Sequence, residues 1–132
     1  MVPSLNHIAI KTNGVDRLSK FYSEVLGLTF VKQHRDDKGL RSIWLRLGSG
    51  LLMLERSEHG GSRSQEANFK EDPTGIHLIA LSVEKSKKED WRARLEQNKV
   101  SIEFESEYTI YFFDPDGNRI GLSSFDPSTI TN

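Results

Sequence analysis

The chain of 132 residues has no cysteine, which excludes disulfides, thiolate nucleophiles and cysteine-held metals. It also lacks long apolar runs. Hydrophobic residues make up 36%, but charges interrupt them throughout, so nothing approaches the roughly 20 apolar residues of a membrane-spanning helix. Neither sign of charge dominates: 18 Lys and Arg face 19 Asp and Glu, so no basic field awaits nucleic acid. Lys85, Lys87 and Lys88 form a short basic run that acids follow at once, which reads as a solvated helix start. Met1–Ser4 shows no basic segment leading into an apolar stretch, so the default expectation is a cytoplasmic protein with no membrane or nucleic-acid partner. Such a chain suits one globular domain, burying roughly two-thirds of its unfolded surface.

What is present is a repeat. Leu5-Asn6-His7-Ile8-Ala9-Ile10 opens one copy and Ile76-His77-Leu78-Ile79-Ala80-Leu81 the other. The first copy closes on Leu51-Leu52-Met53-Leu54-Glu55, the second on Asn118-Arg119-Ile120-Gly121-Leu122. Aligned in this way, His7 and Glu55 of the first copy face Leu78 and Gly121 in the second.

Local patterns supply the elements. Residues 5–11 alternate as a strand, with His7, Ala9 and Lys11 on one side. Asp16 reads as the cap of a helix whose apolar face is Leu18, Phe21, Tyr22, Val25 and Leu26, stopped by Gly27. Leu28–Gln33 reads as a strand, Arg35–Gly39 as a hairpin turn, and Ile43, Leu45 and Leu47 alternate with Ser42, Trp44 and Arg46 before Leu51–Glu55. Ser57–Gly75, polar and rich in glycine and serine, reads as a connector or a flap. In the second copy, Ser86 and Glu89 have capping-box spacing, and Trp91 and Leu95 face the core. Asn98 takes the place of Gly27, Val100–Phe104 and Tyr108–Phe113 read as strands, Asp114-Pro115-Asp116-Gly117 as a tight turn, and Ile120–Ser124 as the last strand. The prediction is an α+β fold of two βαβββ modules, about residues 4–56 and 75–126 with linker 57–74, whose eight strands curl into a half-open cup. Such a cup suits a small molecule.

Asn6–Ile10, Phe21-Tyr22 with Leu26-Gly27, Leu52–Glu55, Gly75–Val83 and Phe112-Phe113-Asp114-Pro115-Asp116-Gly117-Asn118 together resemble the vicinal oxygen chelate superfamily. That group holds glyoxalase I, extradiol dioxygenases, fosfomycin-resistance transferases and bleomycin-resistance proteins. The resemblance implies the glyoxalase/bleomycin-resistance/dioxygenase fold, a homodimer, and in catalytic members one divalent metal (Zn, Ni, Mn, Fe or Co). Three or four His and Glu ligands hold it, and it polarises two neighbouring oxygens.

Carried over one position at a time, the resemblance gives His7 as the first-strand ligand and Glu55 as the acid ending the fourth strand. Leu78 falls where the second ligand histidine belongs, and Gly121 where the closing glutamate belongs. His77 comes one residue early, so alternation turns it towards the helix unless a β-bulge returns it. His7 and Glu55 either share an ion or are hydrogen-bond partners. Arg46 either binds a ligand anion or pairs with Glu55. Trp44 and Met53, with Leu78, Ser82, Tyr111, Phe113 and Ser123 of the second copy, would line the ligand face. The alternative for Tyr111, Thr109 and Phe113 is dimer packing, and Arg119 is expected to pair with Asp114 or Asp116. His34 and His59 fall in predicted loops and read as solvated. Three functions follow: a small-molecule binder with an incomplete or absent metal site, a glyoxalase-type lyase, isomerase or transferase in which Glu55 also moves a proton, or a subunit whose cup serves assembly.

Overall fold

The computed structural model describes residues 1–59 and 74–130, and the chain divides into two compact units, Met1–Arg63 and Ser64–Asn132. Most of the expected linker therefore lies outside the described residues.

In the first unit, β1 (His7–Thr12), α1 (Val15–Lys20), β2 (Phe30–Asp36), β3 (Gly39–Leu47) and β4 (Gly50–Arg56) follow in order. The sheet order is β1-β4-β3-β2, with β1 parallel to β4 and the other pairs antiparallel. Alternation fixes which face is covered. Ile43, Leu45, Leu52 and Leu54 point to one side and are buried, as are Val15 and Leu18 of α1. His7, Ala9, Lys11, Trp44, Arg46, Met53 and Glu55 therefore share the opposite, open face.

Three local expectations change here. Gly14, not Asp16, is the N-cap of α1. The Gly14 N–H donates to Thr12 Oγ1 at 3.0 Å, while Asp16 lies in the first turn and pairs with Lys20 at 3.3 Å. Past Lys20 the helix widens into a π-turn over Phe21–Val25, closed by Leu26 N–H on the Phe21 carbonyl at 3.2 Å. Gly27, at φ 81, ends it as expected. Strand β2 runs on to Asp36, so the hairpin turn shrinks to Asp37-Lys38. Asp36 holds that turn by accepting from Lys38 N–H at 2.9 Å and from Arg56 at 2.5 Å.

The second unit repeats the plan: β5 (Ile79–Ser82), a 3-10 turn (Lys85–Lys87), α2 (Lys88–Gln97), β6 (Phe104–Glu105), β7 (Thr109–Phe113) and β8 (Arg119–Ser123). Its order is β5-β8-β7-β6, again with the first strand parallel to the last. Leu95, Ile110, Phe112, Ile120 and Leu122 are buried. The two βαβββ modules are thus as the repeat foretells. No capping box forms, because α2 is entered through the 3-10 turn with Lys87 at its N-cap. Glu89 pairs instead with Arg92, which also reaches Glu105 at 2.5 Å. Asn98 stays right-handed, at φ −94, and donates its side-chain amide to the Arg94 carbonyl at 2.8 Å. The left-handed residue is Lys99, at φ 59. That turn brings the chain to the edge of β7 only at Glu103, so the predicted strand 100–104 shortens to Phe104–Glu105.

The tight turn before β8 is built on Asp114, which is 4% exposed. Its carboxylate accepts from the N–H groups of Asp116 and Asn118 and from the Asn118 amide, at 2.8–2.9 Å. No helix among the described residues is long and apolar enough to cross a membrane.

Candidate functional site

Strand register sorts the open face of the first module into three rows. His7 lies opposite Leu51, and Leu51 opposite Arg46. Next come Ala9, Met53, Trp44 and Lys32, then Lys11, Glu55, Ser42 and His34. The expected residues His7, Trp44, Arg46 and Met53 are therefore neighbours on one surface. Leu51 sits at the centre of the first row, with the Met53 and Trp44 side chains beside it.

His7, Arg46 and Glu55 each have a definite partner. His7 Nδ1 lies 2.8 Å from Asn6 Oδ1. An amide oxygen only accepts, so Nδ1 carries the hydrogen and Nε2 presents its lone pair. A carbonyl partner on the second ring nitrogen is the arrangement that orients histidines serving as ligands or acceptors. Arg46 donates to the Gly50 carbonyl at 3.4 Å, a long single bond for a group with five N–H donors. Glu55 pairs with Lys11 at 3.4 Å, so neither Arg46 nor His7 is its partner. The register puts Glu55 four residues beyond the partner of His7, about 13 Å along the strand.

The same register corrects the alignment of the two copies. Ala9 pairs with Met53 and Ala80 with Gly121. His7 and Leu78 each stand two residues before those alanines. The counterpart of Gly121 is therefore Met53, and that of Glu55 is Ser123. Matching Glu55 with Gly121 is therefore off by one pleat.

His34 is the residue the sequence reading missed. It is in β2, half-buried, with Nδ1 2.9 Å from Ser42 Oγ and its ring centroid 4.8 Å from that of Trp44. The alternation of Lys32, His34 and Asp36 was a usable signal, but the charged run around them read as a turn. Trp44 Nε1 is buried without a hydrogen-bond partner among the described residues, a costly condition for an indole N–H. His59 is exposed, as expected.

On the second module the open face carries Ala80, Ser82, Arg119, Gly121, Ser123, Thr109, Tyr111 and Phe113. Tyr111 stacks on Phe104 at 5.6 Å. Ser123 Oγ is already engaged by Thr109 Oγ1 at 2.9 Å and by Phe125 N–H at 3.2 Å. Arg119 donates to His77 Nδ1 at 2.8 Å, and the β5–β8 ladder runs from Ile79 to Ser82 without the register shift that a bulge would leave. Asp114 accepts from the backbone N–H groups of its own turn.

The residues do not fit the divalent metal that the resemblance implies. Among the described residues, no group of three His, Asp or Glu converges. A Cβ built on Gly121 would lie 2.9 Å from Thr109 Cγ2 and 3.2 Å from Leu78 Cδ1. A methyl group and a leucine thus close over the place from which a carboxylate would have to project.

Known proteins bear on this geometry. Metallothiol transferase FosB of Staphylococcus saprophyticus is 26% identical over 92% of this chain and 77% of its own length. FosB of Staphylococcus epidermidis is 25% identical over 92% and 81%. The fosfomycin resistance protein FosX of Listeria monocytogenes, in complex with Mn(II) and 1S,2S-dihydroxypropylphosphonic acid, superposes with a TM-score of 0.74 at 14% identity, covering 97% of both chains. Lactoylglutathione lyase of Agrobacterium tumefaciens gives 0.66 at 20% identity, covering 91% of this chain and 92% of its own. These two structures share the fold. Residues 4–122 match a family profile as a whole, and the chain belongs to the Glyoxalase/Bleomycin resistance protein/Dioxygenase superfamily, the vicinal oxygen chelate group.

Proposed function

We propose that this protein is a glyoxalase/bleomycin-resistance-type binder that holds a small organic anion on the open face of its first module. One observation carries the reading: Arg46, whose one side-chain bond among the described residues is the long one to Gly50, and His7, whose Nε2 has no partner among them, flank an apolar floor of Leu51 and Met53 beside Trp44. The guanidinium suits a carboxylate or phosphate group, and the floor and indole suit an apolar body. His7 accepts a hydroxyl or N–H from the guest. Glu55 holds Lys11 and sets the charge of the third row, and the chelating and proton-moving roles foreseen for it are not part of this proposal. The second module's own face carries the apolar Leu78, Tyr111 and Phe113 and the hydroxyl of Ser82, while Ser123 Oγ stays with Thr109 and Phe125. The working unit in this proposal is a cytoplasmic homodimer.

The test uses untagged protein, phenylphosphonate and benzoate as probes, and thermal melts. A native-only ligand raises the melting temperature with concentration. Arg46→Met should weaken the preferred probe roughly tenfold to hundredfold, the loss of one charge-assisted contact of about 1.5–3 kcal/mol. No response to either probe, or an unchanged response in Arg46→Met, refutes the reading. The 26% identity to a metallothiol transferase favours a second reading, a metal-dependent transferase. A stoichiometric ion in the purified protein, lost in His7→Ala, would establish that one instead.

A further inference from the structure

The resemblance leaves positions 78 and 121 without a metal donor, and the structure shows what stands there instead. In the second module the replacements touch. Leu78 and Gly121 are separated in sequence by a helix and three strands, yet Leu78 Cδ1 lies 3.2 Å from the point where a Gly121 Cβ would stand. Thr109 Cγ2, on the neighbouring strand β7, lies 2.9 Å from the same point, and Tyr111 Cδ1 3.7 Å. Thr109 cannot swing aside freely, since its hydroxyl donates to Ser123 Oγ at 2.9 Å and its side chain is buried. Gly121 is itself buried and is absent from the residues at positive φ. A glycine is therefore required there by the space its neighbours occupy, not by its backbone angles.

We infer that Leu78, Gly121 and Thr109 form an interlocked apolar plug on the face of the second module where the family resemblance places that module's metal ligands. The two changes are one packing unit. A side chain at position 121 collides while Leu78 and Thr109 stay, and a polar side chain at 78 loses its contact while 121 stays glycine. The plug excludes a cation by filling the space with methyl groups as well as by lacking donors. It also makes this patch of the face apolar. This goes beyond the binding proposal and stands apart from it, because its test uses no organic ligand and leaves Arg46 and His7 in place.

The experiment is a set of double-mutant cycles read by thermal denaturation. Gly121→Ala should lower the melting temperature by roughly 5–10 °C, as overpacking of a tight site does. In a Thr109→Ser background, which removes Cγ2 and keeps the hydroxyl, the same change should cost less than half as much. A Leu78→Ala background should likewise reduce the cost. If Gly121→Ala folds only in those backgrounds, the inference stands. An equal cost in all three backgrounds, or failure to fold in all three, overturns it. The second arm uses Ni(II) and Zn(II) alone. Leu78→His and Gly121→Glu as single changes should gain no saturable thermal shift, whereas Leu78→His with Gly121→Glu and Thr109→Ser should gain one. A shift of that size in either single variant would show that donors were missing but space was not.

Discussion

Gly50 offers a sharp test of how the first module positions its open face. A Cβ there would lie 2.4 Å from the Asn6 carbonyl oxygen, against an ordinary contact of 3.4 Å or more. The start of β1 would have to retreat by about 1 Å. That retreat breaks the Leu51 N–H to Asn6 carbonyl bond, now 3.2 Å, worth about 1 kcal/mol. Added to about 1–3 kcal/mol of overpacking, it gives about 2–4 kcal/mol for Gly50→Ala. For a chain of this size that is a fall of roughly 6–20 °C in melting temperature. Gly48 is the control, because it sits at φ 57 with nothing within 4 Å of its added Cβ. Gly48→Ala should cost only about 1 kcal/mol, through backbone strain alone, and Gly48→Asn less still. Gly50 lies between the two proposed contact groups, since its own carbonyl accepts from Arg46 and Asn6 orients His7. Gly50→Ala should therefore also weaken phenylphosphonate binding, and Gly48→Ala should not. A Gly50 variant melting within 3 °C of the parent, or a Gly48 variant that is the less stable of the two, would refute the close-approach argument.

The Arg56 guanidinium beside Asp36 holds that carboxyl below its usual value, its hydrogen bond being the largest cause. The ion pair thus adds stability above the ordinary carboxylate range and loses it as pH falls through the lowered value, so Asp36→Asn should narrow the gap between neutral and acid stability in pH-dependent melts. Glu89 beside Arg92 is shifted in the same direction, and raising salt should mimic part of both losses. Asp114→Ala removes a buried acceptor of three hydrogen bonds and should cost about 2–4 kcal/mol by denaturant titration. Mn, Ni, Co and Zn should each leave the melting temperature of the parent protein unchanged, and a saturable rise with any of them would count against the metal-independent reading.

Much of the fold was legible because its signals are local and repeated. The alternation of Ile43, Leu45, Leu52 and Leu54, and of Ile110, Phe112, Ile120 and Leu122, names the covered faces directly, and every one of these is buried. Cap positions were less legible, since Asp16, Ser86 and Asn98 each have the right chemistry but tertiary packing chose Gly14, Lys87 and Lys99. Site residues divide along the same line. Trp44, Arg46, Met53 and His7 follow from period-two alternation within strands. Which acid lies near which histidine depends on the register between β1 and β4, strands more than forty residues apart, and spacing along the chain does not encode it. That is why Glu55 was set beside His7 when its partner is Lys11.

In both units the first strand pairs with the last, and in parallel. During synthesis, Ile8 and Ile10 thus have no ladder to join until Gly50–Arg56 has emerged. Closure of a loop of that length precedes any reward, so the docking of this edge is expected to be the slow step for each half. Because each half closes its own ladder, the leading half can mature on the ribosome while the trailing half is still being translated.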